Sequence, residues 1–212
     1  MHGIGEVCHG HDVWMHVDGA YGGAGLAAPS IREVFNGIEL AHSFIVDPHK
    51  WLFAPFDCCA LIYQDPRLAR EAHQQQGAYL EVVYDGVWNV SDYAHHLSRR
   101  ARGLPLWFSL ATHGTEAYAD AVEQTLAVAK EAAVRIERHP DLELVAEQNL
   151  SICVFRRKGW KPEDYANWSD HQLETGQSFV TPTKHNGETV LRFCIVNPRT
   201  TVQHIEEILA SL

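Results

Sequence analysis

Positive charge is scarce in this sequence: 17 Lys and Arg stand against 27 Asp and Glu, a formal net charge of −10 over 212 residues. Such an acidic chain has no general footprint for nucleic acid, whose backbone is gripped by clustered cations. Long apolar runs are also missing. None approaches the roughly 20 residues of a membrane helix, and the amino terminus has no apolar signal-peptide core. Cysteine is odd in number, five in all. Cys58-Cys59, Cys153 and Cys194 sit in apolar, strand-like runs, so free buried thiols in a reducing cytoplasm are expected rather than a disulfide framework. No metal is expected either. Cys8, His9 and His11 lie close together, but no second ligand pair follows at the required spacing, and His95-His96 makes no better site.

What is present suits a globular protein. Hydrophobic residues make up 46% and charged residues 21%, ample for one large or two small domains. The organising stretch is Ser43-Phe44-Ile45-Val46-Asp47-Pro48-His49-Lys50-Trp51. Residues 44–46 read as a buried strand, stopped by a proline that cannot continue a sheet ladder. A lysine held just beyond such a strand, with Trp51 and Phe53 nearby, is expected to be partly desolvated, which favours the neutral, nucleophilic amine. A second stretch has the same form: Val13-Trp14-Met15-His16-Val17-Asp18-Gly19-Ala20-Tyr21, a strand ending in a carboxylate and small residues. The 32 positions between Asp18 and Lys50 suit a strand, a crossover and a neighbouring parallel strand. Ligands of open α/β sheets bind at such strand ends. Pyridoxal phosphate needs this pair, a lysine for the Schiff base and an acid to keep the ring nitrogen protonated.

Elsewhere, Ser30 and Glu33 suggest a capping box for a short helix ending near Asn36-Gly37. Residues 57–63 read as a third buried strand, and Asp65-Pro66 starts a short helix. Residues 73–98 keep no period, as functional loops do. Arg99, Arg100 and Arg102 form a basic cluster, fitted either to bind an anion or to be solvated. A long helix begins at Pro105 and is interrupted near His113-Gly114-Thr115. Val122, Leu126, Ala129, Ala133 and Ile136 give it a core stripe. Strands at 142–145, 152–155 and 190–196 and a closing helix at 201–212 indicate a small α+β domain. The boundary is placed near residue 105, giving domains 1–105 and 106–212. Between 158 and 188 the pattern is weak.

His16-Val17-Asp18-Gly19-Ala20-Tyr21 followed by Asp47-Pro48-His49-Lys50-Trp51 resembles the group II pyridoxal-phosphate-dependent amino-acid decarboxylases. That family includes the aromatic amino-acid, tyrosine, histidine, glutamate and 2,4-diaminobutyrate decarboxylases. The likeness runs through the chain to Leu191-Arg192-Phe193. It implies an α/β fold: part of a fold-type I large domain, with a mainly parallel sheet and helices, then the small α+β domain. It implies decarboxylation of an L-amino acid to an amine and CO₂, with pyridoxal 5′-phosphate as cofactor, in a cytoplasmic homodimer. Family members carry a large preceding portion with the phosphate loop and a ring-stacking side chain, so the chain resembles a carboxy-terminal part and is expected to be inactive alone.

The resemblance also assigns roles. Lys50 carries the cofactor, Asp18 pairs with its ring nitrogen and Ala20 packs on its face. His49 contacts the phosphate or the reacting region. Asp47 takes a cofactor-side position where relatives have Asn or Asp, although an anion there repels a phosphate unless a donor intervenes. Arg192 binds the substrate carboxylate, and as a core-strand cation it requires a partner. Tyr79, in the 73–98 stretch, donates a proton. Two other readings stay open: a different fold-type I enzyme, such as a cysteine desulfurase or an aminotransferase, and a non-catalytic remnant. The Tyr79 role has a direct test. Tyr79→Phe in an active decarboxylase containing this chain should lower amine formation by about 10²–10⁴-fold, the usual worth of a general acid. Amine released at the wild-type rate would leave Tyr79 as a loop anchor.

Overall fold

The structure, a computed structural model, describes residues 1–75 and 89–212. Tyr79 lies outside the described residues. The chain divides into two units, Met1–Gly114 and Thr115–Leu212. They part at Gly114, where φ is 78° and ψ 161° inside an otherwise helical run. Glycine tolerates that positive φ without steric cost.

The first unit opens with α1 (His2–Gly10) and then a strand of only three residues, β1 (His16–Asp18). β1 pairs in parallel with β2 (Ser43–Val46), with Asp18 opposite Ile45. The crossover between them consists of three short 3₁₀ segments, Gly22–Ala27, Pro29–Phe35 and Ile38–Leu40, in place of an α-helix. Glycines and small residues dominate the first segment. Two of its glycines and Ala24 are buried, so the crossover lies close to the sheet. The capping box expected at Ser30 does not form. Pro29 occupies the first helical position, its fixed φ starting the turn one residue earlier, so the cap falls on Ala28 and Ser30 sits inside the turn.

Beyond β2 comes the single turn α2 (Pro48–Trp51), then β3 (Ala60–Tyr63), which runs antiparallel to β2 with Ala60 opposite Val46. β3 is an edge strand among the described residues, in the order β1-β2-β3. Leu61 and Ile62 are therefore exposed, where the apolar run had suggested burial on both faces. α3 (Pro66–His73) follows, capped as its sequence indicates by the Asp65 carboxylate accepting from Arg67 N–H at 2.9 Å. Trp51, wholly buried, anchors α2 and stacks on Tyr21 with ring centroids 5.2 Å apart. Arg100 and Arg102 of the basic cluster both pair with Asp57, so that cluster is partly neutralised within its own unit.

The long helix α4 (Gly103–Arg138) supplies the second unit with Val122, Leu126, Ala129, Ala133 and Ile136, all buried as their spacing requires. Four antiparallel strands follow in spatial order β4-β5-β7-β6: β4 (Leu142–Leu144), β5 (Ile152–Arg157), β6 (Pro182–His185) and β7 (Glu188–Cys194). One face of this sheet carries Leu142, Cys153, Phe155, Leu191 and Phe193 into a core shared with α4 and with two further helices, α5 (Pro162–Glu174) and α6 (Val202–Ala210). α5 is the full 13-residue helix of a segment whose pattern is weak. Its inward residues are Tyr165, Trp168 and Gln172, at helical spacing. The buried polar Gln172 breaks the apolar stripe, yet it is satisfied by Gln177 at 3.1 Å and Ser178 at 2.9 Å. Among the described residues no helix is long and apolar enough to cross a membrane.

Phe155 is fully buried, with its ring 4.8 Å from that of Phe193. Phe155→Ala removes a core ring from a site enclosed by sheet and helix. The expected loss is about 3–5 kcal/mol, read as a lower urea midpoint for the second unit. A change below about 1 kcal/mol would mean that the core refills the space.

Candidate active site

Backbone hydrogen bonds weld the ends of β1 and β2 together. Asp47 N–H donates to Ala20 C=O at 3.0 Å, and Ala20 N–H donates to Asp18 Oδ1 at 3.0 Å. Asp18, Ala20 and Asp47 are thereby fixed relative to one another, the Asp47–Ala20 bond by main-chain groups alone. Pro48 sets the first position of α2, and Lys50 N–H closes the turn onto Asp47 C=O at 2.9 Å. His49 and Lys50 are thus presented directly after the strand.

Lys50 Nζ lies 2.8 Å from Asp47 Oδ2, with the lysine side chain 42% exposed and the aspartate side chain 14% exposed. This corrects the expectation of a desolvated, easily deprotonated lysine. The hydrogen bond to Asp47 pushes the Lys50 ammonium above the ordinary lysine range; desolvation opposes it, and the charges of Asp47 and Asp18 reinforce it. Burial pushes the Asp47 carboxyl up. Hydrogen bonds from Lys50 and Cys59, with the charges of Lys50 and His49, outweigh that and hold it below the ordinary range. The repulsion foreseen for an anion at position 47 is met by a cation already in contact with it.

His49 Nδ1 is 2.6 Å from Cys58 C=O. A carbonyl can only accept, so Nδ1 carries the proton and Nε2 is the nitrogen left for another partner. The ring also meets Phe56 edge-on at 5.1 Å. Arg192 belongs to the second unit, in β7, and there it is exposed between the buried Leu191 and Phe193. Water solvates its charge, so the partner required of a buried cation is not needed. Among the residues assigned from sequence, the first unit therefore brings together Asp18, Ala20, Asp47, His49 and Lys50.

Cys59 was not among the candidates read from sequence. β3 returns antiparallel to β2, and with Ala60 opposite Val46 the preceding residue falls beside Asp47. Cys59 is exposed, not buried as its apolar run suggested, yet its thiol donates to the Asp47 carboxylate, and local desolvation first, then that hydrogen bond, push the thiol up to about 11. Only the antiparallel register reveals this contact; residue type and spacing along the chain carry no signal of it.

The donor set fits a pyridoxal-type cofactor: an amine, a carboxylate whose Oδ1 accepts from Ala20 N–H, and the small side chain of Ala20 at the same strand end. The α/β architecture is that of the fold-type I pyridoxal-phosphate enzymes. Residues 1–158 match the family described as the pyridoxal-dependent decarboxylase conserved domain, and the chain belongs to that family. It is 32% identical to the aromatic-L-amino-acid decarboxylase of Sus scrofa, over 95% of this chain and 42% of that protein. Tyrosine decarboxylase 2 of Arabidopsis thaliana is also 32% identical, over 96% of this chain and 39% of the relative. The Oryza sativa TDC solved with PLP and tryptamine superposes with a TM-score of 0.87 at 25% identity, covering 99% of this chain and 46% of that one. The chain spans less than half the length of these relatives. Family membership decides against the desulfurase reading.

Because Asp47 is held below its ordinary range, its contribution to stability is present above the unfolded carboxylate's pKa and is lost as pH falls through the folded value. Wild type should therefore exceed Asp47→Asn in urea midpoint at neutral pH, and the gap should close on acidification from about pH 5 downward. A gap independent of pH would show that the carboxylate's charge contributes nothing.

Proposed function

We propose that this chain contributes the cofactor-bearing lysine and its surrounding groups to a pyridoxal-phosphate-dependent decarboxylase that converts an L-amino acid to the amine and CO₂. The observation that carries the reading is the pairing of β1 with β2. It sets Asp18 and the Lys50 turn at adjacent strand ends, close enough for their charges to interact. Pyridoxal phosphate, when bound, supplies the electron sink for the bond that breaks.

The chain's own residues account for the rest. Lys50 presents the amine that holds the cofactor. Asp18, with one oxygen fixed by Ala20 N–H, offers the other to a protonated ring nitrogen and keeps that proton in place. The Ala20 side chain is small enough for a flat ring to lie against it. His49, its Nδ1 committed to Cys58, turns Nε2 toward a phosphate or a reacting group as hydrogen-bond partner. Arg192 binds the substrate carboxylate, and so aligns the bond to be broken. Tyr79 delivers the final proton to Cα. The division of labour follows the two segments read from sequence, a cofactor-binding part at 1–105 and a small domain at 106–212. Assembly as a homodimer in the cytoplasm completes the proposal.

Incubating the protein with equimolar pyridoxal phosphate, reducing with borohydride and mapping the peptides tests it. The pyridoxyl group should fall on Lys50 and vanish in Lys50→Ala. A label on Lys130 or Lys184 in its place overturns the assignment.

A further inference from the structure

Asp47 has the position of a helix N-cap, directly before the proline that opens α2, yet its side chain caps no backbone N–H. An aspartate there ordinarily accepts from the second or third residue of the helix. This one reaches Lys50 Nζ at 2.8 Å and receives the Cys59 thiol as well. The carboxylate is thus spent on the very amine that must become a nucleophile, and an ammonium has no lone pair with which to attack a carbonyl.

We propose that Asp47 is a positioning and proton-holding residue for Lys50, which it keeps as a latched ammonium until an incoming anionic aldehyde breaks the pair. The proposal rests on Lys50 being the cofactor lysine. The groups around the pair act in one direction. Asp18 adds negative charge near Lys50. Cys59 and Cys58 stay protonated near neutrality, because local desolvation and the Asp47 charge raise both thiols. Lys50 itself and then His49 supply the positive charge that favours the Asp47 anion. Asp47 is therefore anionic and Lys50 cationic throughout the neutral range, and the latch is closed there. An anionic aldehyde entering beside Asp47 disfavours the carboxylate's own charge, so its arrival drives the Lys50 proton onto Asp47 across the 2.8 Å contact and leaves the amine with its lone pair. A neutral residue at position 47 would leave the lysine nucleophilic without that coupling.

Trace acetylation of the cofactor-free protein, followed residue by residue by peptide mass spectrometry from about pH 7 to about pH 11, reads the latch directly. In wild type, Lys50 should reach half-labelling at a higher pH than Lys130. Asp47→Asn should lower that midpoint by about one unit, raising Lys50 labelling near pH 8 roughly tenfold, with Lys130 unchanged. Asp47→Glu, which keeps the charge, should hold the midpoint near the wild-type value. A Lys50 midpoint unmoved in Asp47→Asn overturns the proposal. If that variant does not fold, the wild-type protein in about 1 M salt replaces it, since screening weakens a half-exposed pair. The midpoint must then fall toward that of Lys130, and an unchanged midpoint overturns the proposal equally. A cofactor label on another lysine would sink the functional reading while leaving this profile intact, so the two failures are distinguishable.

Discussion

Everything at the candidate site depends on a parallel pairing only three residues long. β1 meets β2 with His16 opposite Ser43 and Asp18 opposite Ile45, and a slip of one position would turn every side chain to the other face. The register is pinned from both ends. At the start, Ser43 Oγ takes Trp14 Nε1–H at 2.9 Å and lies 2.8 Å from His16 Nδ1, while Met15 N–H donates to His42 Nδ1. At the far end, Asp47 N–H is tied to Ala20 C=O. Polar contacts outside the short ladder thus do what a longer strand would do by repetition. The indole N–H can only donate, so Ser43 accepts from Trp14, and its hydroxyl keeps a hydrogen and a second lone pair for His16 Nδ1.

Charge at the site is balanced in pairs. Lys50 answers Asp47, and Arg100 and Arg102 answer Asp57 on the same hairpin. Burial alone would push Lys50 toward neutrality. A carboxylate in hydrogen-bond contact outweighs it, because the lysine is still 42% exposed and loses little hydration. The strand-end position of a lysine consequently says where the amine is, whereas its protonation is decided by the residue three positions earlier.

Local signals made much of this legible. Pro48 marked the end of β2, the stripe from Val122 to Ile136 marked α4, and the separation of Asp18 from Lys50 anticipated parallel neighbours. Three features escaped for distinct reasons. The crossover is 3₁₀ because its glycines and Pro29 favour tight turns at the expense of a continuous helix. α5 hides behind Gln172, a polar residue whose partners come from the turn after the helix. Cys59 joins the site through an antiparallel return that no spacing along the chain encodes. Arg192 shows the complementary error: a strand was correctly placed, but its period of two sets the arginine on the outward face while its neighbours fill the core.

The site's frame is built from main-chain groups, and this bears on how it tolerates change. Ala20 contributes both its N–H and its C=O, Cys58 its C=O, and Asp47 its N–H and C=O. None of these bonds depends on the side chain at its position. The backbone places of residues 47, 49 and 50 are thus set apart from the side-chain chemistry that positions 47 and 59 add around the amine. Substitution at 47 changes the amine's nearest partner while the Lys50 backbone keeps its place through Asp47 C=O. An aspartate at 47 with a thiol at 59 is one setting of the lysine's environment, imposed on a frame that main-chain groups hold together with the Asp18 carboxylate and the His49 ring.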